Sequence, residues 1–168
     1  MNSKTSNGLM VGGGALMLIA FVLGWTKAEA FGVSETGDNP IGHYFFTGGI
    51  AWIVVVAVGV LGILRMTGKL SGPQNWGIIL AVLSILGALL MVIQVLMGAN
   101  TPAEFEALGI DDAIAIAITR GPGMYVGLVA AVIAAAGGVM GFTAGGGDLK
   151  DLTDIDKLKG AVDDDPNT

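Results

Sequence analysis

The sequence predicts an all-α integral membrane protein: a four-helix transmembrane bundle with a short helical outer loop between its third and fourth helices. Two observations carry that prediction. Of 168 residues, 53% are hydrophobic and 13% charged, where a soluble domain carries about 25% charged residues. The charge that remains is gathered into short segments, leaving four uncharged apolar runs. Each run is close to the roughly 20 residues that a helix needs to cross a bilayer.

The elements follow in order. A tail over residues 1–7 precedes the first span, "GLMVGGGALMLIAFVLGW", at 8–25. A first outer loop, 26–43, is rich in Gly, Ser, Asp and Asn with a Pro, which predicts turns rather than helix. The second span, "YFFTGGIAWIVVVAVGVLGIL", covers 44–64 and is joined by an inner loop, 65–75, to a third span at 76–98. A second outer loop runs from 99 to 123, a fourth span from 124 to 142, and an acidic tail from 143 to 168. Helices satisfy their own backbone groups in lipid, whereas a closed barrel would show alternating polarity, so four helices are expected.

Basic residues set the orientation. With the N-terminus inside, the inner segments hold Lys4, Arg65, Lys69, Lys150, Lys157 and Lys159, and the outer ones only Lys27 and Arg120. Both termini are therefore expected to be cytoplasmic. Trp25, Tyr44, Trp76, Tyr125 and Phe142 fall at the predicted interfaces, where amphipathic rings prefer to sit. Trp52 lies inside the second span, facing lipid or a neighbouring helix. Lys4, the first apolar run and Ala28-Glu29-Ala30 also have the layout of a cleavable secretory signal. The apolar run exceeds the usual h-region and its flank carries one basic residue, which favours retention of the first span.

Helices in lipid associate through close packing and a few polar contacts. Small residues spaced four apart mark the candidate packing positions: Gly8 and Gly12, Gly123 and Gly127, Gly137 and Gly141, with Gly59 and Gly62 as a further notch. Ser84 and Gln94 are the polar side chains deepest in a span. They stand about 80° apart around the helix, so they need not share a partner.

Composition excludes several functions. There is no cysteine, hence no disulfide, thiolate metal site or thiol nucleophile. His43 is the only histidine, which rules out bis-histidine haem ligation within one chain. The spans carry no ionisable residue of the kind that marks proton relays and substrate paths, and the embedded glutamate of small four-span exporters has no counterpart. The Gly12–Gly14 run lacks the Lys-Ser/Thr of a phosphate loop. A net charge of −6 with no basic patch argues against nucleic acid. No enzyme activity, cofactor or metal is expected.

The second outer loop is the segment with most structure. Thr101-Pro102-Ala103-Glu104 reads as a capping box, Gly109 as a helix stop, and Asp111 as the cap of a second short helix, "DAIAIAIT", ending at Arg120. The Ile-Ala alternation over 113–118 fits a strand equally well, but the cap and stop signals favour helix. Glu104, Glu106, Asp111 and Asp112 have no calcium-loop spacing and read as a solvated rim. Phe105, Ile110, Ile114, Ile116 and Ile118 are the candidate partner contacts. In the tail, a Gly145–Gly147 hinge leads to Leu149, Leu152, Ile155 and Leu158, repeating every three residues, which suggests a short, moderately amphipathic helix. The "DDDPNT" end reads as disordered.

Gly24-Trp25 closing the first span, a Gly37-Asp38 loop, and "GPGMY" opening the fourth resemble a recurrent kind of small four-span bacterial inner-membrane protein, over roughly residues 8–143. The span order also resembles the claudin-like plan, without that family's paired outer cysteines. These features predict a non-catalytic accessory or scaffolding subunit in the bacterial cytoplasmic membrane. Its expected partners are lipid and other membrane proteins or further copies of itself. A channel formed by oligomerisation is the alternative.

Overall fold

The computed structural model describes residues 3–30, 33–42, 44–70, 75–98, 117–154 and 156–157. Four long helices dominate: α1 (Ser3–Val22), α2 (Ile50–Met66), α3 (Asn75–Met97) and α4 (Pro122–Ala144). A π turn over Phe45–Gly49 opens α2. All four helices are long and apolar enough to cross a membrane. The first starts nearer the N-terminus than expected and ends short of Trp25, because Gly24 takes φ +70° and turns the chain.

The helices form a ring in which α1 packs on α2 and α4, and α3 on the same two, with α1 and α3 at opposite corners. The α1–α4 seam is the most extensive. Along α1 it is built from Ser6, Met10, Gly13, Met17 and Ala20, and along α4 from Gly123, Gly127, Ala130, Ala134, Gly137 and Gly141, all buried. Both sets advance by alternating threes and fours, the spacing that keeps one narrow stripe facing a neighbouring helix. The backbones approach until no side chain fits between them. A Cβ on Gly13 would lie 2.7 Å from the Ala130 carbonyl oxygen, and one on Gly137 would lie 2.7 Å from that of Ser6. A second face of α4 meets α3, where Gly138 abuts the Ser84 hydroxyl.

The α1–α2 crossing repeats the device, since a Cβ on Gly14 would lie 2.8 Å from Cα of Gly59. Gly62 faces Met10 and Val11 in the same crossing. One expectation is corrected here. Gly8 and Gly12 face open space, and the α1 notches are Gly13 and Gly14. Gly12 sits two residues from Gly14, about 200° around the helix, so it points away from the bundle. Between the seams, Met10, Met17, Met91 and Met124 fill the interior with Val55, Val58 and Leu80. Flexible thioether side chains suit the irregular gaps left by facing glycines. Trp52 turns towards α1, where its indole N–H donates to the Met17 carbonyl at 3.1 Å and its ring stacks at a tilt on Phe21.

A small antiparallel sheet caps one end of the bundle. Strands β1 (Thr26–Ala30) and β2 (Val33–Gly37) form a hairpin, and β3 (Ala117–Arg120) adds to the other side of β1, giving the order β2-β1-β3. The expected turn-rich loop is thus a hairpin. The expected helix over "DAIAIAIT" is corrected at its last residues, because Ala117–Thr119 belong to β3. There the free edge of β1 offers partners for a segment whose alternating pattern already suited a strand.

At the opposite end α4 closes through Gly146, at φ +88°, into a 3₁₀ turn over Leu149–Thr153, while most of the rest of the expected tail helix falls outside the described residues. Leu149 and Leu152 stand three residues apart, the period of that helix type. Asp148 and Asp151 form a capping box around it, and Lys157 pairs with Asp151. The hydrogen bond from Lys157 holds the Asp151 carboxyl below its ordinary value of 3.8, and the same bond raises Lys157 above 10.5. The lowered acid contributes order above its ordinary value, lost as pH falls through the folded one; the raised base contributes below 10.5, lost as pH rises through its folded value.

Two outcomes check this description. Gly13→Leu lowers thermal stability in detergent by about 1–3 kcal/mol or more through overpacking, while Gly8→Leu leaves it unchanged. Asp151→Asn removes amide-exchange protection from residues 149–153 without shifting the unfolding midpoint of the bundle.

Candidate interaction surface at the sheet end

Trp25, just ahead of β1, seats the sheet on the helices. It is fully buried, and its indole N–H donates to the Ala20 carbonyl at 2.9 Å, one of the orphan acceptors at the end of α1. Its ring lies against Gly48 in the π turn and Gly123 and Gly127 in α4, where Cβ atoms would come within 2.5, 2.6 and 3.5 Å. Tyr44, also buried, faces it across 6.2 Å between ring centroids. The Trp25 backbone is equally engaged. Its N–H donates to the Gly37 carbonyl at 2.8 Å, and its carbonyl accepts from Gly121 N–H at 2.8 Å. The expected interfacial ring is therefore a core residue, enclosed because the sheet folds over it. Tyr44 and Phe142 are likewise buried, and Tyr125 is half exposed.

Gly121-Pro122-Gly123 is explained by the same contact. Gly121 would place a Cβ 2.6 Å from the Gly24 carbonyl oxygen, and Gly123 would place one 2.6 Å from that of Ala20. Proline at the start of α4 needs no N–H donor there. Gly24-Trp25 and "GPG", two separate landmarks of the sequence, are the two halves of one joint.

A polar knot fixes the end of α3 beside it. Arg120, at the end of β3, donates from Nε to the Val95 carbonyl at 2.6 Å and from Nη2 to that of Leu96 at 3.5 Å. A cation at a helix C-terminus complements the dipole as well as the unpaired carbonyls. Gly98 takes φ +87° and lies against the guanidinium. Gln94 Nε2 donates to the Gly98 carbonyl at 3.3 Å, and Thr47 Oγ1 donates to Gln94 Oε1. Ser84, by contrast, donates to the Ala81 carbonyl of its own helix at 2.9 Å. The two polar residues of α3 thus serve different contacts. Arg120 carried a readable clue, standing one residue before a Gly-Pro break.

What this end offers a partner is the outside of the hairpin. All of β2 is exposed, and Val33 is 64% accessible. No strand pairs with its far edge among the described residues. Glu29 and Glu35 are exposed, and Lys27 pairs with Glu29 along β1. Of the candidate partner contacts, Ile118 lies in β3 opposite Ala28. Phe105, Ile110, Ile114 and Ile116, with the Thr101 capping box, fall outside the described residues. Among the described residues no group of three or more His, Asp or Glu side chains is gathered to hold a metal ion.

Trp25→Ala lowers stability by about 3–5 kcal/mol, the cost of emptying a large core site. Trp25→Phe costs about 1 kcal/mol for the lost hydrogen bond, beyond any packing loss, in thermal unfolding monitored by circular dichroism. No protein-family model matches the chain, and no curated protein or solved structure is similar to it.

Proposed function

We propose that the chain is a non-catalytic integral membrane protein of the bacterial cytoplasmic membrane. In this reading it is an accessory or scaffolding subunit that recruits or stabilises membrane partners in an envelope, transport or respiratory complex. The observation that carries the proposal is the exposed edge strand β2, mounted through Trp25 on a bundle whose interior is filled with side chains. A strand with an unpaired edge, held in fixed register, is a surface to which another chain can add by backbone hydrogen bonding. The acidic residues beside it favour a partner that is neutral or basic at that point. The excess of basic residues at the end carrying both termini supports a cytoplasmic position for them.

The test is purification in mild detergent with mass spectrometry of what accompanies the chain, repeated with Glu35→Lys. The expected outcome is a stoichiometric membrane partner that Glu35→Lys loses while the bundle stays folded. A strictly monomeric protein without companions overturns the proposal. Because the chain has no cysteine, single cysteines at position 35 and in the tail report sidedness cleanly. Impermeant maleimide should label position 35 in intact cells and spare the tail.

A further inference from the structure

The backbone of β2 has a fixed direction at its free edge. Gly121 N–H donates to the Trp25 carbonyl at 2.8 Å, which turns that carbonyl towards β3. In a planar trans peptide the Thr26 N–H then points the other way, towards β2. The alternation continues along β1, so Thr26 and Ala28 exchange hydrogen bonds with their partners Gly37 and Glu35. Gly37 does face β1, since its carbonyl also accepts from the Trp25 N–H at 2.8 Å. Ser34 and Thr36, which alternate with these residues, therefore turn their N–H and C=O groups outward along the open edge.

The register also sorts the side chains, because paired residues share a face and successive residues alternate. Lys27 and Glu29, paired with each other, lie on one face with Ser34 and Thr36. Val33 and Glu35 lie on the other face with Ala28. Arg120 belongs to that second face by register, but its guanidinium is committed to the carbonyls of Val95 and Leu96. Glu35 makes no ion pair or hydrogen bond among the described residues. The edge thus presents the backbone groups of Ser34 and Thr36, an unpaired carboxylate between them, and an exposed valine on the carboxylate's face. A second copy fits it poorly. Antiparallel self-pairing that uses both residues' groups is centred on Glu35, and it sets two carboxylates directly opposite each other, which destabilises a strand pair.

We infer that this edge takes an extended segment of another protein, antiparallel to β2, with a lysine or arginine opposite Glu35 and an apolar residue two positions later, opposite Val33. Ser34 and Thr36 bond to the backbone of that segment and hold it in register. The position opposite Glu35 is then a non-hydrogen-bonded pair, where facing Cα atoms lie only about 4.5 Å apart and side chains meet most closely. A basic side chain there neutralises the carboxylate, and the apolar one covers Val33. The backbone supplies the attachment, and Glu35 supplies the choice of partner. The inference rests on the reading of β2 as a recruiting edge.

The test titrates the full chain in nanodiscs with two blocked hexapeptides, "TTKTVT" and "TTETVT", whose third residue falls opposite Glu35. Amide chemical shifts and hydrogen exchange report where each one binds. The lysine peptide should shift and protect the amides of Ser34 and Thr36, and the glutamate peptide should bind about fivefold more weakly. Glu35→Lys should reverse that order and leave the helix amides unchanged, because position 35 is exposed on an edge strand. Val33→Ser should weaken both peptides without altering their ratio. Equal binding of the two peptides by wild type, no change at Ser34 and Thr36 with either, or pairing of two copies through β2 overturns the inference. A chain that selects the lysine peptide at β2 yet purifies without companions overturns the subunit reading instead. A co-purified partner lost on Glu35→Lys, without peptide selection, overturns only the inference.

Discussion

The burial of Trp25 is the constraint on which the rest of this structure depends. A single indole ties together the end of α1, the hairpin, the π turn ahead of α2 and the entry to α4. Its near neighbours include backbone carbonyls, the glycines of the π turn and of α4, and the Tyr44 ring. The sheet has little apolar surface of its own, and an isolated hairpin is marginal in water. It is ordered because Trp25 seats it. The same contact fixes how closely α1 and α4 approach, so the sheet and the tightest helical seam share one origin.

Below this joint the bundle follows the economy expected in lipid. Burying apolar area gains little when the solvent is also apolar, so cohesion comes from backbone approach and from satisfying polar groups. The glycines of α1, α2 and α4 provide the first. Trp52 on Met17, Thr47 on Gln94, and Arg120 on the last carbonyls of α3 provide the second. Polar side chains thus cluster at helix ends and crossings, where they close accounts the backbone leaves open. Asn7 is the exception, its side-chain oxygen being buried without a hydrogen-bond partner among the described residues.

The parts of this fold legible in the sequence are those encoded by local pattern. Four apolar runs of nearly span length are visible because no tertiary contact is needed to make them. The glycine notches of α2 and α4 were read at the right residues, but those of α1 were displaced to Gly8 and Gly12. Spacing alone says that two glycines share a face and not which face meets a neighbour. The sheet was hidden for a related reason. "TKAEA" has no strand signature of its own, and β3 owes its state to the open edge of β1. Trp25 was placed at an interface by its amphipathic character, whereas the fold encloses it. As for the candidate surface, only the last residues of the second outer loop, Ala117–Arg120, are described, and the hairpin they join has no signal in the sequence.

The α1–α4 seam also has a consequence in time. Its two halves are nearest neighbours in space, yet about 100 residues separate the end of α1 from the start of α4. At synthesis rates of 5–20 residues per second, α1 waits roughly 5–20 s in the membrane before its partner emerges. Throughout that interval the small-residue stripe of α1 that meets α4 lacks its native cover, although α2 can already pack on its other face. The closing step of biogenesis is therefore the arrival of Gly121 and Gly123 beneath Trp25.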